Sequence, residues 1–429
     1  MKYLYSFCLL FLPGLFLSAQ EYVHQVIFLN EGWYDFTNDT LAIAPSVGSY
    51  DPLTETYTVF DELTDADFAS DVLVDDVIYV AADNQLITYD KNSLTRLQTI
   101  SVPGIRELAV WGDQLLVSRG DYLVFFDSYF QVYDKHTLEL LYALDTDHGP
   151  AYATEGIVVR DDKAYVAINN GFVFGEEVGF IGVVDLLTQT YTSEIDLGPA
   201  GINPDNIMLD DDMIYTLNNK DYLSSSISVV DPVAGTVATH DMIAANSGCG
   251  TSTYADDHIY FMEYGVDKLA RFDVQTGQVI DTLAQTGAYY GLIDDEINGQ
   301  LIATWTDFFS QGTAFILNYD GSTVTSFDVG VSPGSIALDV RMVTGIESPG
   351  AAGVDIRLSP NPAHDVVTLS GNAPITSFTL YNARGEALAM EHINTMSAEI
   401  PVAAFPGGLY LIQVTSADGQ METAKLLVQ

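Results

Sequence analysis

The amino-acid sequence predicts an all-β protein, a seven-bladed β-propeller followed by a small immunoglobulin-like β-sandwich. Three observations support this fold class. A turn containing aspartate recurs seven times, with its aspartates 39 to 51 residues apart. Short apolar runs without helical periodicity lie between these turns, and a period of about 40 to 50 residues is typical of propeller blades. After Val340 both the composition and the pattern change, which indicates a second domain.

The first repeated turn places an aspartate before a short polar segment that contains Ser, Thr or Gly. The carboxylate of such a residue accepts hydrogen bonds from backbone N–H groups two residues further on, which is why turns favour aspartate. We expect each copy to be a hairpin turn between two strands. The seven aspartates are Asp51, Asp90, Asp134, Asp185, Asp231, Asp273 and Asp320.

A second, acidic turn alternates with the first and joins two short apolar runs, as in residues 73–80, 158–166, 208–215 and 254–260. Its paired aspartates suggest calcium. However, no segment has the alternating Asp-x-Asp-x-Asp-Gly order of a calcium-binding loop. We therefore interpret these aspartates as turn residues and predict no cofactor, with calcium as the alternative.

A single blade leaves its apolar faces exposed, whereas a closed ring of blades buries both faces of each sheet and removes free edges. We therefore assign residues 21–340 to seven blades. An array of β-sandwiches is the alternative, but the even spacing without linkers argues against it. Residues 341–353 are rich in Gly, Ala and Ser and form a linker to the domain at 354–429.

Residues 26–33 (VIFLNEGW) and 49–52 (SYDP) resemble the start of the YncE-like propellers found on Bacteroidetes surfaces, a family often described only as a domain of unknown function. The resemblance covers the whole proposed ring and implies a propeller fold. Some relatives are surface lipoproteins that bind corrinoids for an outer-membrane transporter. Because this chain lacks their lipoprotein cysteine, corrinoid binding is not the main prediction and is kept as an alternative function.

Residues 1–20 are predicted to be a secretory signal peptide. Lys2 supplies the positive charge, residues 7–17 form the apolar run, and Ala19 belongs to a cleavage site of small residues. This run is too short to span a membrane, and no later stretch reaches about 18 apolar residues. We therefore expect a protein without a transmembrane segment that is secreted or held at the cell surface, reached through the periplasm and the outer membrane.

The chain is strongly acidic, with 15 Lys and Arg against 59 Asp and Glu and a formal net charge of −44. This charge repels phosphate backbones, so nucleic acid is not expected as a partner. Of the two cysteines, Cys8 lies in the signal peptide and Cys249 is then alone, so no internal disulfide is predicted. An exported protein without disulfides must depend on a large core, which 48% hydrophobic residues permit.

The tail consists of short alternating runs separated by turn signals, and about seven short strands are predicted there. Its motifs closely resemble the C-terminal sorting domain of the type IX secretion system. This resemblance implies export by the type IX machinery, then removal of the tail with release or anchoring to surface glycolipid. An accessory adhesion domain of the same fold is the alternative. The matching residues are Pro360, Asn361 and Pro362, then Gly407, Gly408 and Tyr410, and finally Lys425.

No catalytic motif is found in the sequence. The His-Glu-x-x-His and Cys-x-x-Cys patterns do not occur, and the single Gly-x-Ser-x-Gly spacing, at residues 330–334, is not followed by a helical pattern. Carboxylates are so numerous that no catalytic pair can be selected. We predict no catalytic residue and no metal ligand.

Geometry offers one ligand-binding prediction. The innermost strand of each blade lines the central channel, and we assign the strand before each acidic turn to that place. Side chains at its start then surround the channel mouth, where a ligand binds. A solvated channel without a ligand is the alternative, and Arg106 either holds an anion or pairs with Glu107 or Glu155. The candidates are Asp71, Arg106, Glu107, Glu155, Asp205, Asn206, Ser252, Tyr289, Tyr290 and Ser335.

Aromatic residues are concentrated in insertions between strands, including residues 122–130, Phe172 and Phe174. Packing within blades is the ordinary explanation of such residues. If they are exposed together, they suit a sugar ring or another flat ligand. The predicted patch consists of Trp33, Tyr34, Trp305, Phe308 and Phe309.

The sequence therefore predicts an exported propeller that acts as a ligand-binding or adhesion module for an extracellular glycan, small molecule or protein. An exported propeller-type enzyme, such as a lyase, a lactonase or a glycan-active hydrolase, is the alternative. A channel carboxylate pair with raised pKa would favour the enzyme. A polar channel beneath an exposed aromatic patch would favour binding.

Overall fold

The computed structural model describes residues 20–210, 212–220, 224–242, 247, 251–343, 356–382, 387–416 and 421–428. The predicted signal peptide up to residue 19, Cys249 and linker residues 344–353 lie outside these ranges. The chain divides into two compact units, one of Val23–Val340 and one that contains the residues from Arg341 onward.

The first half of the larger unit contains the strands β1 (Gln20–Asn30), β2 (Trp33–Asp35), β3 (Thr40–Ile43), β4 (Ser46–Asp51), β5 (Thr56–Glu62), β6 (Asp71–Val74), β7 (Ile78–Ala82), β8 (Gln85–Tyr89), β9 (Arg96–Ser101), β10 (Ile105–Trp111), β11 (Gln114–Arg119), β12 (Ser128–Asp134), β13 (Leu140–Asp145), β14 (Thr154–Arg160), β15 (Lys163–Ile168), β16 (Phe180–Asp185) and β17 (Thr190–Asp196). The second half contains β18 (Pro204–Leu209), β19 (Ile214–Asn218), β20 (Ser225–Asp231), β21 (Thr236–Met242), β22 (Ser252–Ala255), β23 (His258–Glu263), β24 (Lys268–Asp273), β25 (Gln278–Thr282), β26 (Leu292–Asp295), β27 (Gln300–Trp305), β28 (Gln311–Asn318), β29 (Thr323–Val331) and β30 (Pro333–Val343).

Twenty-eight of these thirty strands form seven four-stranded sheets, and β2 and β3 pair in a separate two-stranded sheet. The predicted fold class is confirmed. Six blades use consecutive strands: β6–β9 is blade 2, and the order continues to β26–β29 as blade 7. Blade 1 has the order β30-β1-β4-β5, so its innermost strand comes from the far end of the unit. Strand β1 is thus the second strand of its blade. No helix occurs among the described residues.

Burial changes across each blade from the channel to the rim. The second and third strands are almost wholly buried, as in β7 and β8 of blade 2, whereas the outermost strand β9 is mostly exposed. A middle strand packs against neighbouring blades on both faces, which is why its sequence is a continuous apolar run instead of an alternating one. Each such side chain of Val, Leu or Ile size contributes roughly 1.5–3 kcal/mol through its burial.

The seven repeated aspartates lie in the turns between the third and fourth strands of the blades, as predicted. Asp90 Oδ1 accepts a hydrogen bond from the backbone N–H of Asn92 at 3.0 Å, and Asp273 Oδ1 accepts one from Gln275 at 2.8 Å. The acidic turns lie between the first and second strands. Both kinds of turn therefore lie at the same end of the ring, which we call the lower face.

The opposite end, the upper face, holds the starts of the innermost strands. Because successive strands are antiparallel, it also holds the connections between the second and third strands of each blade and those between blades. The ring closes where blade 7 meets blade 1. At this seam the rings of Tyr50 and Phe327 stack with centroids 3.9 Å apart.

The described residues of the C-terminal unit form five strands, whereas about seven were predicted for the whole tail. The five are β31 (Ile356–Ser359), β32 (Val366–Asn382), β33 (Ala387–Pro401), β34 (Gly408–Ser416) and β35 (Met421–Val428). Strand β32 pairs with β31, β33 and β34, and its register shifts between Ser370 and Ile375. A long strand with an irregular middle thus replaces two of the predicted short strands. The unit has its own buried core, which includes Leu369, Phe378 and Ile412.

Candidate functional site

The predicted channel residues lie at the starts of the innermost strands, on the upper face. Asp71 begins β6, Ser252 begins β22, and Ser335 lies near the start of β30. Arg106, Glu107, Glu155, Asp205 and Asn206 occupy the first three positions of β10, β14 and β18. Tyr289 departs from this arrangement, and Glu31, which the sequence did not reveal, joins it.

Arg106 is the cation of the channel mouth. Its Nε donates to Glu155 Oε2 at 3.1 Å, and its guanidinium lies 5.1 Å from the centre of the Phe172 ring. The Arg106 side chain is 32% exposed, whereas that of Glu155 is 7% exposed. Of the two roles the sequence left open, pairing with a neighbouring carboxylate is therefore the one observed.

Asp71 links three blades through its carboxylate. Its Oδ1 accepts hydrogen bonds from the hydroxyl of Ser335 at 3.0 Å and from the backbone N–H of Val72 at 2.8 Å. Its Oδ2 accepts one from the backbone N–H of Leu108 in blade 3 at 2.9 Å. Since Ser335 belongs to blade 1, this one side chain holds the inner strands of blades 1, 2 and 3 together.

Glu31 is a channel residue that the sequence-based site did not include. The Tyr290 hydroxyl lies 3.0 Å from its Oε1 and 2.8 Å from its Oε2. A Cβ atom at Gly334 would overlap Glu31 Oε1, so the carboxylate approaches the inner strand of blade 1 only because that residue is glycine. The local signal was weak: Glu31 simply follows the buried strand β1 at the start of a long connection.

Four carboxyl groups of the channel, those of Glu31, Asp71, Glu107 and Asp205, have raised pKa values. Burial raises the pKa of Glu31 to about 7, although the bond from Tyr290 and the charge of Arg106 oppose the shift. Burial and the charge of Glu155 raise the pKa of Asp205 to about 7. Burial likewise raises the pKa of Asp71 to about 6.

The pKa shifts of Glu107 and Arg106 follow from the same crowding of buried charged groups. Burial, together with the charges of Asp71 and Glu155, raises the pKa of Glu107 well above its ordinary value. Burial lowers the pKa of Arg106, but the charges of Glu155 and Glu107 outweigh it and the net shift is upward. One guanidinium thus faces five carboxyl groups in a confined space, and protons are partly retained to reduce the repulsion.

Tyr289 does not line the mouth. It is buried within blade 7, with its ring 5.4 Å from that of Phe315. Its neighbour Tyr290 faces the channel instead, because adjacent residues of an extended segment point to opposite sides. Asn206 and Ser252 are joined, since Asn206 Nδ2 donates to the Ser252 carbonyl oxygen at 3.2 Å.

Exposed aromatic side chains are confined to the upper face. All nine that occur among the described residues lie in upper-face connections or, for Trp305, at the upper end of a second strand. They are Phe36, Phe68, Tyr122, Phe125, Tyr152, Phe174, Trp305, Phe308 and Phe309. Together they come from blades 7, 1, 2, 3 and 4 and form a crescent beside the channel mouth, which we call the aromatic crescent.

The crescent contacts both itself and the channel. Trp33 meets Phe309 edge to face with centroids 5.2 Å apart, and Phe308 meets Tyr290 in the same way at 5.0 Å. The centroid of the Tyr34 ring lies 5.1 Å from that of Phe36 and 5.4 Å from that of Phe68. Four of the five residues of the predicted patch therefore take part in these contacts, and Trp305 lies at the upper end of β27. Phe68 and Tyr152 were missed because they are single aromatic residues in connections between blades.

The described residues contain no group of three or more His, Cys, Asp or Glu side chains arranged to hold a metal ion. They also contain no helix that is long and apolar enough to cross a membrane.

The sorting-motif residues lie together in the C-terminal unit. Asn361 Nδ2 donates to the Lys425 carbonyl oxygen at 2.7 Å, and Asn361 Oδ1 accepts from the Leu427 N–H at 2.9 Å. The Asn361 side chain thus donates to and accepts from the backbone of β35, as the backbone of a neighbouring strand does. The Tyr410 hydroxyl donates to the Pro406 carbonyl oxygen at 2.7 Å, which fixes the start of β34.

Comparison with one solved extracellular domain supports the fold. The extracellular domain of BT4673 from B. thetaiotaomicron is similar at 12% identity and a TM-score of 0.51, over 96% of this chain. The chain spans 59% of that domain's length. Kuenenia stuttgartiensis hydrazine synthase is similar at 12% identity and a TM-score of 0.49, over 67% of this chain and 90% of its own.

No curated protein sequence matches the chain. Residues 357–429 match the family model described as the secretion system C-terminal sorting domain. The chain therefore carries a type IX sorting domain behind its propeller, and this domain supports export to the cell surface or secretion.

Proposed function

We propose that the exported propeller binds an extracellular ligand on its upper face, at the channel mouth and the aromatic crescent. The observation that carries this proposal is the confinement of the exposed aromatic side chains to one face. Rings that serve only blade packing are buried, as Tyr79, Phe130 and Phe272 are. Exposed apolar area collected on one face of a protein is characteristic of a binding surface.

The lower face offers an internal comparison. Its exposed apolar residues, such as Leu53, Leu187 and Val233, are single aliphatic side chains in separate hairpin turns. Scattered residues of this kind are normal on a protein surface and require no partner. They therefore supply matched control positions.

Binding of the purified full chain to a panel of extracellular polysaccharides, proteins and a corrinoid tests the proposal. We expect the variant Phe308→Ala/Phe309→Ala to weaken binding about tenfold, since each aromatic contact contributes about 0.5–1.5 kcal/mol beyond its buried area. The lower-face variant Leu187→Ala/Val233→Ala should bind as the parent does. Loss of binding in the lower-face variant alone would reject the upper face as the site.

A second candidate function is an exported hydrolase or lyase. The specific observation that favours it is the pair of channel carboxyl groups, Glu31 and Asp205, whose pKa values lie at about 7. A carboxyl group with a pKa near the working pH is suited to give and take protons. If the ligand is turned over, Glu31→Gln or Asp205→Asn should abolish turnover even at ligand concentrations that saturate the variant. Binding without any product by the parent chain would leave only the binding function.

A further inference from the structure

The chemistry of the crescent and the mouth identifies a class of ligand, provided that the proposed upper-face function holds. We infer that the ligand is a neutral oligosaccharide chain that lies along the aromatic crescent and forms hydrogen bonds with the polar groups of the channel mouth. Three properties of the upper face lead to this class: its length, its charge and the arrangement of its rings.

The length of the crescent favours a chain over a single sugar. Its exposed rings come from five adjacent blades, from Phe308 in blade 7 through Phe36 and Phe68 to Tyr122 in blade 3 and Phe174 in blade 4. A single ring-sized ligand could contact only one or two of these positions. An extended polymer contacts many of them, and each contact adds to the affinity.

The charge of the upper face excludes polyanions. The crescent connections, residues 31–45, 63–70, 120–127, 146–153, 169–179 and 306–310, contain eleven acidic residues and neither lysine nor arginine. Such a surface repels uronic acid polymers, sulfated glycans, nucleic acids and anionic lipids. Any glycan that binds here is uncharged along the segment that is bound.

Three acidic residues beside the exposed rings, two of them in these connections and Asp83 next to one, bond to the loops themselves. Asp35 Oδ1 accepts from the Thr37 N–H at 2.9 Å, Asp83 Oδ1 from the Phe68 N–H at 3.1 Å, and Asp307 Oδ1 from the Phe309 N–H at 2.9 Å. These carboxylates orient the aromatic residues beside them. They serve the presentation of the rings and are not assembled around a vacant cation position.

The place where a cation would meet both a ring and carboxylates is already filled. The Arg106 guanidinium lies on the Phe172 ring and bonds to Glu155. Ligand ammonium groups are generally held by several rings that face one another around one point. Here the exposed Phe36 and Phe68 rings instead stack on each other, with centroids 6.0 Å apart and planes at 24°.

Exposed aromatic rings beside polar groups suit a pyranose. The C–H face of a sugar packs on aromatic rings, and its hydroxyl groups both donate and accept hydrogen bonds. The mouth provides partners of both kinds: carboxyl groups that accept, and the Arg106 guanidinium that donates. A purely apolar chain such as a lipid tail would bury these groups without partners, which is unfavourable.

Titration calorimetry on the full chain tests the inference, with neutral glucans, mannans and xylans graded from a single sugar to a hexamer. A uronic acid oligomer and a lysine-rich peptide serve as charged comparisons. We expect affinity to rise with the length of the neutral chain and to change little between low and high salt. Phe36→Ala/Phe68→Ala and Phe125→Ala/Phe174→Ala should each weaken binding about tenfold, whereas Leu187→Ala/Val233→Ala should not.

The possible outcomes separate this inference from the proposed function. One outcome is binding of the lysine-rich peptide that is lost at high salt, and another is binding of a protein but of no neutral glycan. If the crescent variants lose that binding, the upper-face site is retained and the oligosaccharide is rejected. Affinity that is independent of chain length rejects the extended chain. Absence of binding by every neutral glycan of the series, with crescent variants that melt like the parent, also counts against the inference.

Discussion

The Tyr290 hydroxyl bonds to both carboxylate oxygens of Glu31, a residue 259 positions away in the sequence. This contact joins blade 7 to blade 1 at the seam where the ring closes, directly beside the channel. It shows that the closure of the ring and the electrostatics of the mouth depend on the same side chains. Ring closure, the electrostatics of the mouth and the role of the sorting domain can each be tested by substitution.

The buried carboxyl groups make stability depend on pH. The pKa of Glu31 rises from its ordinary value of 4.5 to about 7 in the fold because the group is buried. The folded state therefore holds the proton more tightly, so the stability contributed by this group is fully present below pH 4.5 and is lost as the pH rises to about 7. Unfolding in urea should show Glu31→Gln to be more stable than the parent at pH 8, by at most about 3 kcal/mol, and little changed at pH 4.5.

An exposed glutamate provides the control for this effect. Glu139→Gln lies in a lower-face turn and should leave the stability at both pH values within about 0.5 kcal/mol. A Glu31→Gln protein that is destabilised at pH 8 as much as at pH 4.5 would show that the hydrogen bond to Tyr290 outweighs the cost of burying the charge.

Removal of the channel cation should be costly. Arg106→Ala leaves the Glu155 carboxylate, 7% exposed, without its partner and close to Glu107. We expect a loss of about 3–5 kcal/mol at pH 8, measured by urea unfolding. The loss should shrink at pH 5, where more of the neighbouring carboxyl groups are protonated. Arg106→Lys keeps the charge and should lose less, and equal losses in the two variants would contradict this electrostatic account.

The seam between blade 7 and blade 1 depends on apolar contact. Tyr50 is 2% exposed and stacks on Phe327. Tyr50→Ala should lower the free energy of unfolding by about 3–5 kcal/mol, because it removes the ring and leaves a cavity. Tyr50→Phe retains the stacked ring and should cost less than about 1.5 kcal/mol. If the two substitutions have similar effects in chemical unfolding, packing across the seam is not what stabilises closure.

Asn361 should be required for a well-formed sorting domain. Its side chain both donates to Lys425 and accepts from Leu427, so Asn361→Ala removes two bonds to the last strand. We expect the variant to accumulate inside the cell and to decrease at the surface and in the medium, as followed by immunoblotting of the fractions. Met390→Ala, at a site 62% exposed in the same unit, is the matched control. Normal export of the Asn361 variant would exclude this role.

Local chemistry is what made the propeller predictable. In each repeated Asp turn the aspartate side chain accepts a hydrogen bond from a backbone N–H within the next three residues, as Asp185 does from Thr188 at 2.8 Å. Such a signal does not depend on the rest of the chain, so it can be read directly and counted. The tail was less predictable, because the interruption between Ser370 and Ile375 resembles a break between strands but is an irregularity inside one long strand.

The site was predictable only in part. The repeat located Arg106, Glu155 and Asp205 at equivalent positions, since equivalent positions in a repeat become neighbours in a ring. It did not distinguish Tyr289 from Tyr290, because the side to which an extended residue points depends on register. Glu31 was missed because its partner lies in another blade.

The sequence by itself determined the number of blades, the hairpin turns and the presence of a sorting domain, since each of these depends on contacts between residues close together in the chain. The tertiary structure alone decided that β30 completes blade 1, that Arg106 pairs with Glu155, and that the exposed aromatic residues share one face. Those features depend on contacts between distant segments, and only closure of the ring brings these segments together.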